Sequence, residues 1–181
     1  MQWTVVIALA LGLSIAADAQ TVCACNPAEP ETMKTRQCSL CNEAEKQSPD
    51  QPVFFLKDIN PRKPNRWLAL PRNHYGGLHH LHEIPAEART ALWIAAIEKA
   101  KSLWGDDWGI AYNGEKVRTQ CHTHIHIGKM MAHVENDRFI VVSKPSQIPA
   151  PPGEGLWIHG APGGKMHVHT GEQTTETVLM R

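Results

Sequence analysis

The alternation of apolar and polar positions predicts an α+β chain in which one long helix packs on an antiparallel meander sheet. Residues 85–103 carry apolar side chains every three to four positions. Pro85 suits the first turn of such a helix and Gly105 suits its end. A shorter helix is expected over residues 39–46. Apolar or alternating runs predict about five strands, at 51–58, 66–70, 108–113, 120–129 and 139–142.

The sequence of the C-terminal residues 146–181 predicts a β extension to this sheet domain. Residues 147–155 are rich in proline and glycine and are read as a loop. A hairpin is expected next, with strands at 156–159 and 166–169, and the β-branched residues 174–179 predict a further strand. His167 and His169 would share one strand face, and His159 could lie opposite them. Two interpretations stay open for these histidines: a metal site and an exposed polar face.

The first nineteen residues are typical of a processing segment. Residues 5–17 are almost wholly apolar, which is too short a run to cross a bilayer of about 30 Å as a helix. Ala17-Asp18-Ala19 then supplies a small-x-small cleavage site. The first four residues lack lysine and arginine, unlike most secretory signals. We expect a signal peptide at 1–19 and an exported protein, periplasmic or extracellular, with an uncleaved membrane anchor as the alternative.

Composition and cysteine count limit the class of protein. A chain of 181 residues, 42% of them hydrophobic, with 18 basic and 18 acidic side chains, fits one domain and gives no sign of a nucleic-acid groove. Export favours disulfides, and an odd number of cysteines leaves one thiol over. Cys38 and Cys41 have the spacing of a zinc knuckle or a redox pair. The oxidising environment expected for an exported protein favours a disulfide at Cys38, with Cys41, Cys23 or Cys25 as its partner.

The most informative stretch is an alternating row of three histidines, His122, His124 and His126, separated by the β-branched Thr123 and Ile125. On an extended strand the three imidazoles would share one face, about 6–7 Å apart. Such a row could supply a nucleophile, an orienting partner and a phosphate ligand. In-line residues converge poorly on a metal ion, so the spacing favours catalysis or phosphate binding over a zinc site.

The sequence His-Thr-His-Ile-His-Ile at 122–127 resembles the signature of the histidine-triad (HIT) superfamily of nucleotide hydrolases and transferases. The preceding Arg-Thr-Gln at 118–120 is most similar to the CDP-diacylglycerol pyrophosphatase branch. Residues 53–61 and 67–74 resemble the family's ribose-binding strand and its neighbour, and residues 110–114 resemble the strand before the triad. The resemblance runs from about residue 38 to 129. It implies a HIT-like domain at 38–145, between an N-terminal linker at 20–37 and the C-terminal extension.

The resemblance implies an exported hydrolase of nucleotide pyrophosphates or phosphoramidates, acting through a nucleotidyl-histidine. It makes His124 the nucleophile, with His122 and His126 as its catalytic partners. A backbone carbonyl near His122 would orient His124. Gln120 lies nearer the triad than is usual in the family, which brings Arg118 towards the phosphates. The implied nucleotide contacts are His126, Asn113, Gln120 and Arg118 at the phosphates, Asp58 at the ribose, and Leu56 and Ile59 at the base.

Alternatives accompany several of these assignments. Asp58 could instead cap the turn before Asn60. Catalysis needs no cofactor, although some family members bind a structural zinc through positions matching Cys38, Cys41, His74 and His122. The expected partner is a nucleotide substrate, with membrane contact only for a lipid nucleotide, and a homodimer is allowed. The other class of function is a non-catalytic metal- or nucleotide-binding module.

Overall fold

The structure, a computed structural model, describes residues 23–74 and 80–181. The expected signal peptide at 1–19 lies outside the described residues. Helix α1 spans Pro30–Met33, α2 spans Ser39–Glu45 and α3 spans Ala86–Trp104. The strands are β1 (Val53–Lys57), β2 (Trp67–Pro71), β3 (Trp108–Tyr112), β4 (Ile125–Lys129), β5 (Ile140–Val142), β6 (Gly155–Ala161) and β7 (Lys165–Glu172).

The α+β class and the single long helix are confirmed, but the five-stranded meander is wrong. All seven strands form one antiparallel sheet in the order β1-β2-β4-β3-β6-β7-β5. The predicted C-terminal hairpin is β6 and β7, and β6 pairs directly with β3. The hairpin therefore continues the sheet, and β5 is carried to the far edge beside β7.

Helix α3 covers one face of the sheet. Its buried positions recur at helical spacing, and Gly105 ends it with a positive φ of 55°, which glycine adopts without strain. Strand residues on this face alternate with residues on the other face. The main core lies between helix and sheet and includes Leu92, Trp93, Ile97, Ile110, Ile125, Ile127, Leu156 and Ile158.

The opposite face carries the histidines. The strand register places His126 beside Ala111, Ala111 beside Trp157, and Trp157 beside His169. Directly paired residues point to the same face, so these four side chains form one row across the sheet. A smaller apolar cluster on this face joins Ala111 and Trp157 to Leu179 from the C-terminal segment.

That segment differs from its predicted structure. Residues Thr175–Val178 form a 3₁₀ helix, where a strand was expected over 174–179. The β-branched residues favour strands, but the Arg66 guanidinium holds the backbone by donating hydrogen bonds to the carbonyl oxygens of Glu176 and Leu179. Tertiary contacts therefore override the local preference.

The cysteines form two disulfides, Cys25–Cys38 and Cys23–Cys121, and Cys41 is a buried free thiol. The predictions that Cys38 is oxidised and that one thiol is left over are confirmed. Disulfides are compatible with an oxidising, exported environment. None of the helices in the described ranges combines the length and apolar character needed to cross a membrane.

Candidate active site

The three histidines approach one another at the start of β4, and only His126 lies within that strand. A strand from residue 120 was expected, and this boundary is wrong. Pairing with β2 ends at Ala69 and Ile125, two residues before Pro71, which has no N–H to donate. The Pro71 carbonyl oxygen lies 2.7 Å from Nε2 of His122. The His122 side chain thus hydrogen-bonds to the Pro71 carbonyl, at the place where a longer strand β4 would have continued its backbone pairing with β2.

His124 is held in one tautomer by the backbone. Its Nδ1 lies 2.8 Å from the carbonyl oxygen of His122, which can only accept. Nδ1 therefore carries the proton and Nε2 the lone pair. Burial is the main cause that lowers the pKa of His124 to about 4, against a smaller opposing effect of the bond to His122. At neutral pH this imidazole is uncharged, as a nucleophile must be.

His126 lies between an amide and a carboxylate. The Oδ1 atom of Asn113 accepts bonds from the Thr175 hydroxyl and the Glu176 N–H, which turns Nδ2 towards Nε2 of His126 at 3.5 Å. An amide nitrogen only donates, so Nε2 accepts and Nδ1 carries the proton. Nδ1 faces a Glu176 oxygen at 3.6 Å. Burial, followed by the nearby His124, lowers the pKa of His126 well below its ordinary value.

Three charged residues beside His126 were missed by sequence reasoning. Lys63 and Arg66 both donate to the carboxylate of Glu176. Partial burial raises the pKa of Glu176, but His126, Lys63 and Arg66 together outweigh it and lower the pKa to about 2. No local pattern marks these residues, because Lys63 lies in a turn and Glu176 in a C-terminal segment far from the triad in sequence.

The predicted nucleotide contacts fall into two groups. Asn113 contacts the triad, as described above. Another group lines a pocket of about 400 Å³ beside β1 and α2. Leu68 also lines it and pairs with both Leu56 and His126, so the pocket opens on the histidine face. The predicted residues that line it are Leu56, Asp58, Ile59 and Gln120.

Two of these pocket residues already make hydrogen bonds. Oδ1 of Asp58 accepts the N–H of Asn60 at 2.9 Å, which is the turn cap considered as the alternative role. Nε2 of Gln120 donates to the Ser39 hydroxyl at 3.0 Å. A carboxylate has a second oxygen, so the turn cap and a ribose contact are compatible.

Arg118 holds the segment that precedes the triad in place through hydrogen bonds. Its guanidinium donates to the Cys121 carbonyl at 2.7 Å and to the Tyr112 hydroxyl at 3.0 Å. It is buried, yet lies near enough to His124 to contribute to the lowering of its pKa. Its role at a phosphate stays a prediction.

The four-ligand zinc set is not assembled. Cys38 is bonded to Cys25, which removes one of the four expected ligands. One ligand atom each from Cys41, His74 and His122 lies within 4.8 Å of the others. Burial raises the pKa of the Cys41 thiol to about 11, which favours the protonated sulfur. Three donors remain, short of the four of a structural zinc site.

The hairpin histidines separate into two environments. His159 and His167 are paired across β6 and β7 and share the carboxylate of Glu135. His169 instead stacks on Trp157, with ring centroids 3.4 Å apart. The interpretation of all three histidines as one metal site is therefore replaced by a group of two histidines and a glutamate.

Comparison with known proteins adds no further evidence on identity. No protein-family model matches the chain. No curated protein matches it either.

Proposed function

We propose that the protein is an exported HIT-type phosphohydrolase that cleaves a nucleotide pyrophosphate or phosphoramidate through a nucleotidyl-histidine. The observation that carries the proposal is the state of His124. Its Nδ1–H is committed to the His122 carbonyl and its Nε2 lone pair is available at neutral pH. The triad's resemblance to the HIT signature and the two disulfides of an exported protein also support it.

In the proposed first step, Nε2 of His124 attacks the nucleotide phosphorus. A P–N bond forms, the P–O or P–N bond to the leaving group breaks, and the leaving group takes up a proton from solvent. Water then attacks the same phosphorus and returns a proton to solvent, the P–Nε2 bond breaks, and the nucleotide leaves neutral His124 behind. Burial of the attacking imidazole strengthens its electrostatic interactions with the phosphate.

Several neighbouring groups are suited to stabilise the negative charge that the reaction places on the phosphoryl oxygens. The Nδ2 donor of Asn113 and the Lys63 ammonium could stabilise the equatorial phosphoryl oxygens. The adjoining pocket of about 400 Å³, with Leu56 and Ile59 among its lining residues, would accept the nucleoside. CDP-diacylglycerol is the specific substrate suggested by the Arg-Thr-Gln stretch before the triad. Neither zinc nor any other metal takes part in the proposed steps.

The test is a hydrolysis screen over nucleotide pyrophosphates, including CDP-diacylglycerol, and nucleoside phosphoramidates. We expect His124→Ala to lower kcat on the order of 10⁴-fold, because the attacking atom is lost. His122→Ala should cost less, since it disturbs orientation only. Substrate labelled at the nucleotide phosphorus should leave label on His124 that is lost in acid and kept in alkali, as expected of a phosphoramidate.

His133→Asn is the matched control, because His133 is exposed and has a positive φ of 64°, which asparagine tolerates. It should keep full activity. His124→Gly with added imidazole offers a second measurement, since restored turnover would assign the attacking atom. Hydrolysis undiminished in a folded His124→Ala protein would refute the mechanism, whereas no hydrolysis of any screened substrate by the wild-type protein would favour the non-catalytic binding module.

A further inference from the structure

A second group of polar side chains lies on the histidine face, at the far end of the sheet. His159 on β6 pairs directly with His167 on β7, and Glu135 reaches them from the chain between β4 and β5. Strand β3 lies between the triad strand β4 and this group, which occupies the next two strands, β6 and β7. At about 4.8 Å per strand, the two sites are on the order of 10–15 Å apart.

The three side chains are already close to ligand spacing. The Glu135 Oε1 atom lies 3.4 Å from Nε2 of His159 and 2.6 Å from Nδ1 of His167. One ligand atom from each residue falls within 4.8 Å of the others. Ligands bound to zinc at about 2.0–2.2 Å in a tetrahedron lie roughly 3.3–3.5 Å from one another. Small side-chain rotations would therefore bring all three donors onto one ion, once the proton by which Nδ1 of His167 now donates to Glu135 has moved to Nε2 of the same ring.

The tautomer of His159 leaves two acceptors facing each other. Its Nδ1 lies 2.9 Å from the Gly160 carbonyl oxygen, so Nδ1 carries the proton and Nε2 the lone pair. Nε2 is buried and has no hydrogen-bond donor among the described residues. A lone pair opposite a carboxylate oxygen is an arrangement that a cation stabilises.

The neighbouring rings hold the histidines in position. His167 stacks on Phe139, with centroids 3.9 Å apart and planes within 14°. The bond from His159 to Gly160 resembles the backbone contacts that commonly orient metal-bound imidazoles. Glu135 is half-exposed, so solvent can reach the group.

We propose that His159, His167 and Glu135 form a binding site for a divalent transition-metal ion, with Zn²⁺ as the best match. The two imidazole ligands argue against calcium and magnesium as the bound ion, because those ions select oxygen donors. Three protein ligands leave one tetrahedral position for water. The proposal does not depend on the proposed hydrolase function, since none of the three residues belongs to the triad.

Bound metal would connect the chain between β4 and β5 to the C-terminal hairpin. Glu135 is the only one of the three ligands outside the β6–β7 pair. The ion would hold that chain against the sheet and raise the thermal stability of the protein, because it binds the folded state alone.

The experiment is calorimetric titration of Zn²⁺ into full-length, chelator-treated protein made without a histidine tag. We expect wild-type protein to bind Zn²⁺ with a rise in Tm. His159→Gln and His167→Gln should each weaken this binding on the order of 100-fold or more, and Glu135→Gln should weaken it less. The exposed His133→Asn variant, two residues from Glu135, is the matched control and should bind normally.

Co²⁺ absorption separates this site from the Cys41, His74 and His122 group. A cobalt ion held by nitrogen and oxygen gives weak visible bands, whereas a thiolate ligand adds intense near-ultraviolet charge transfer. We expect the first spectrum, lost in both histidine variants. No binding by wild-type protein, unchanged binding by folded His159→Gln and His167→Gln, or a thiolate spectrum would each overturn the proposal. Hydrolysis by the His159→Gln variant is measured in parallel, so that failure of the metal site and of the proposed function are distinguished.

Discussion

At the scale of single residues, the backbone and burial together set the chemistry of His124. The carbonyl of His122 fixes the tautomer, and exclusion of water disfavours the charged ring. These two effects have different origins, because the first is local in sequence and the second requires the whole sheet. A histidine in the same motif on the surface would have the tautomer without the lowered pKa.

This combination predicts the acid limb of the pH–rate profile. Protonated His124 has no lone pair at Nε2, so kcat/KM should fall as the pH drops through the pKa of the free enzyme. Because that pKa is lowered to about 4 from 6.5, the rate should stay nearly level between pH 7 and pH 5. Initial rates from pH 3.5 to 8, with circular dichroism to verify folding at each pH, provide the measurement. A midpoint near 6.5 in folded protein would contradict the effect of burial.

At the scale of structural elements, one guanidinium makes several of the hydrogen bonds that hold the C-terminal segment beside the site. Arg66 donates from Nε to the Met180 carbonyl, from Nη2 to the Glu176 carbonyl and from Nη1 to the Glu176 carboxylate. The same segment supplies the Thr175 hydroxyl that helps to orient Asn113. Arg66 therefore acts on the triad indirectly, through the segment that positions Asn113.

Replacing this guanidinium should release the segment. We expect Arg66→Met to lower the free energy of unfolding by about 3–5 kcal/mol, because buried carbonyls lose their donor and the Glu176 carboxylate keeps only Lys63. Amide hydrogen exchange should accelerate over residues 175–180, and urea denaturation gives the stability. The exposed Arg62→Met in the same turn is the control and should change stability little. Equal stability of the two variants would show that the contacts of Arg66 contribute nothing measurable.

At the scale of the whole molecule, the sheet divides an apolar face from a histidine face. Burial lowers the pKa of several histidines on or near the second face, including His124, His126, His159 and His169. In the unfolded chain they would take up protons near pH 6.5. Folding therefore holds a set of imidazoles neutral in a pH range where water would charge them.

Stability should consequently fall in acid. Between pH 6.5 and about 4 the unfolded chain binds more protons than the folded chain, so the free energy of unfolding decreases as the pH is lowered. The lowered pKa of buried His124 alone corresponds to a loss on the order of 3 kcal/mol in the free energy of unfolding by the bottom of that window. Urea midpoints at pH 7.5, 6 and 4.5 measure the effect. His124→Gln should flatten the dependence, whereas His133→Asn should leave it unchanged. Equal midpoints across the window would argue against neutral buried histidines.

Some features follow from the sequence alone, because they depend on neighbours along the chain. The period of apolar residues and the flanking Pro85 and Gly105 predict α3 to within one residue at each end. Alternation likewise identifies the β6–β7 hairpin. The oxidised state of Cys38 follows from the expected export and the cysteine count, and the carbonyl that His124 contacts lies two residues away in the chain.

Other features required the tertiary structure, because they join distant parts of the chain. Strand order depends on which apolar faces meet, and local periodicity carries no such information. Glu176 beside His126, Cys23 bonded to Cys121, and Glu135 between two hairpin histidines each connect residues separated by many positions. The depth of burial that lowers the pKa of His124 also arises only when the sheet and the C-terminal segment have packed, since water is excluded by all of them together.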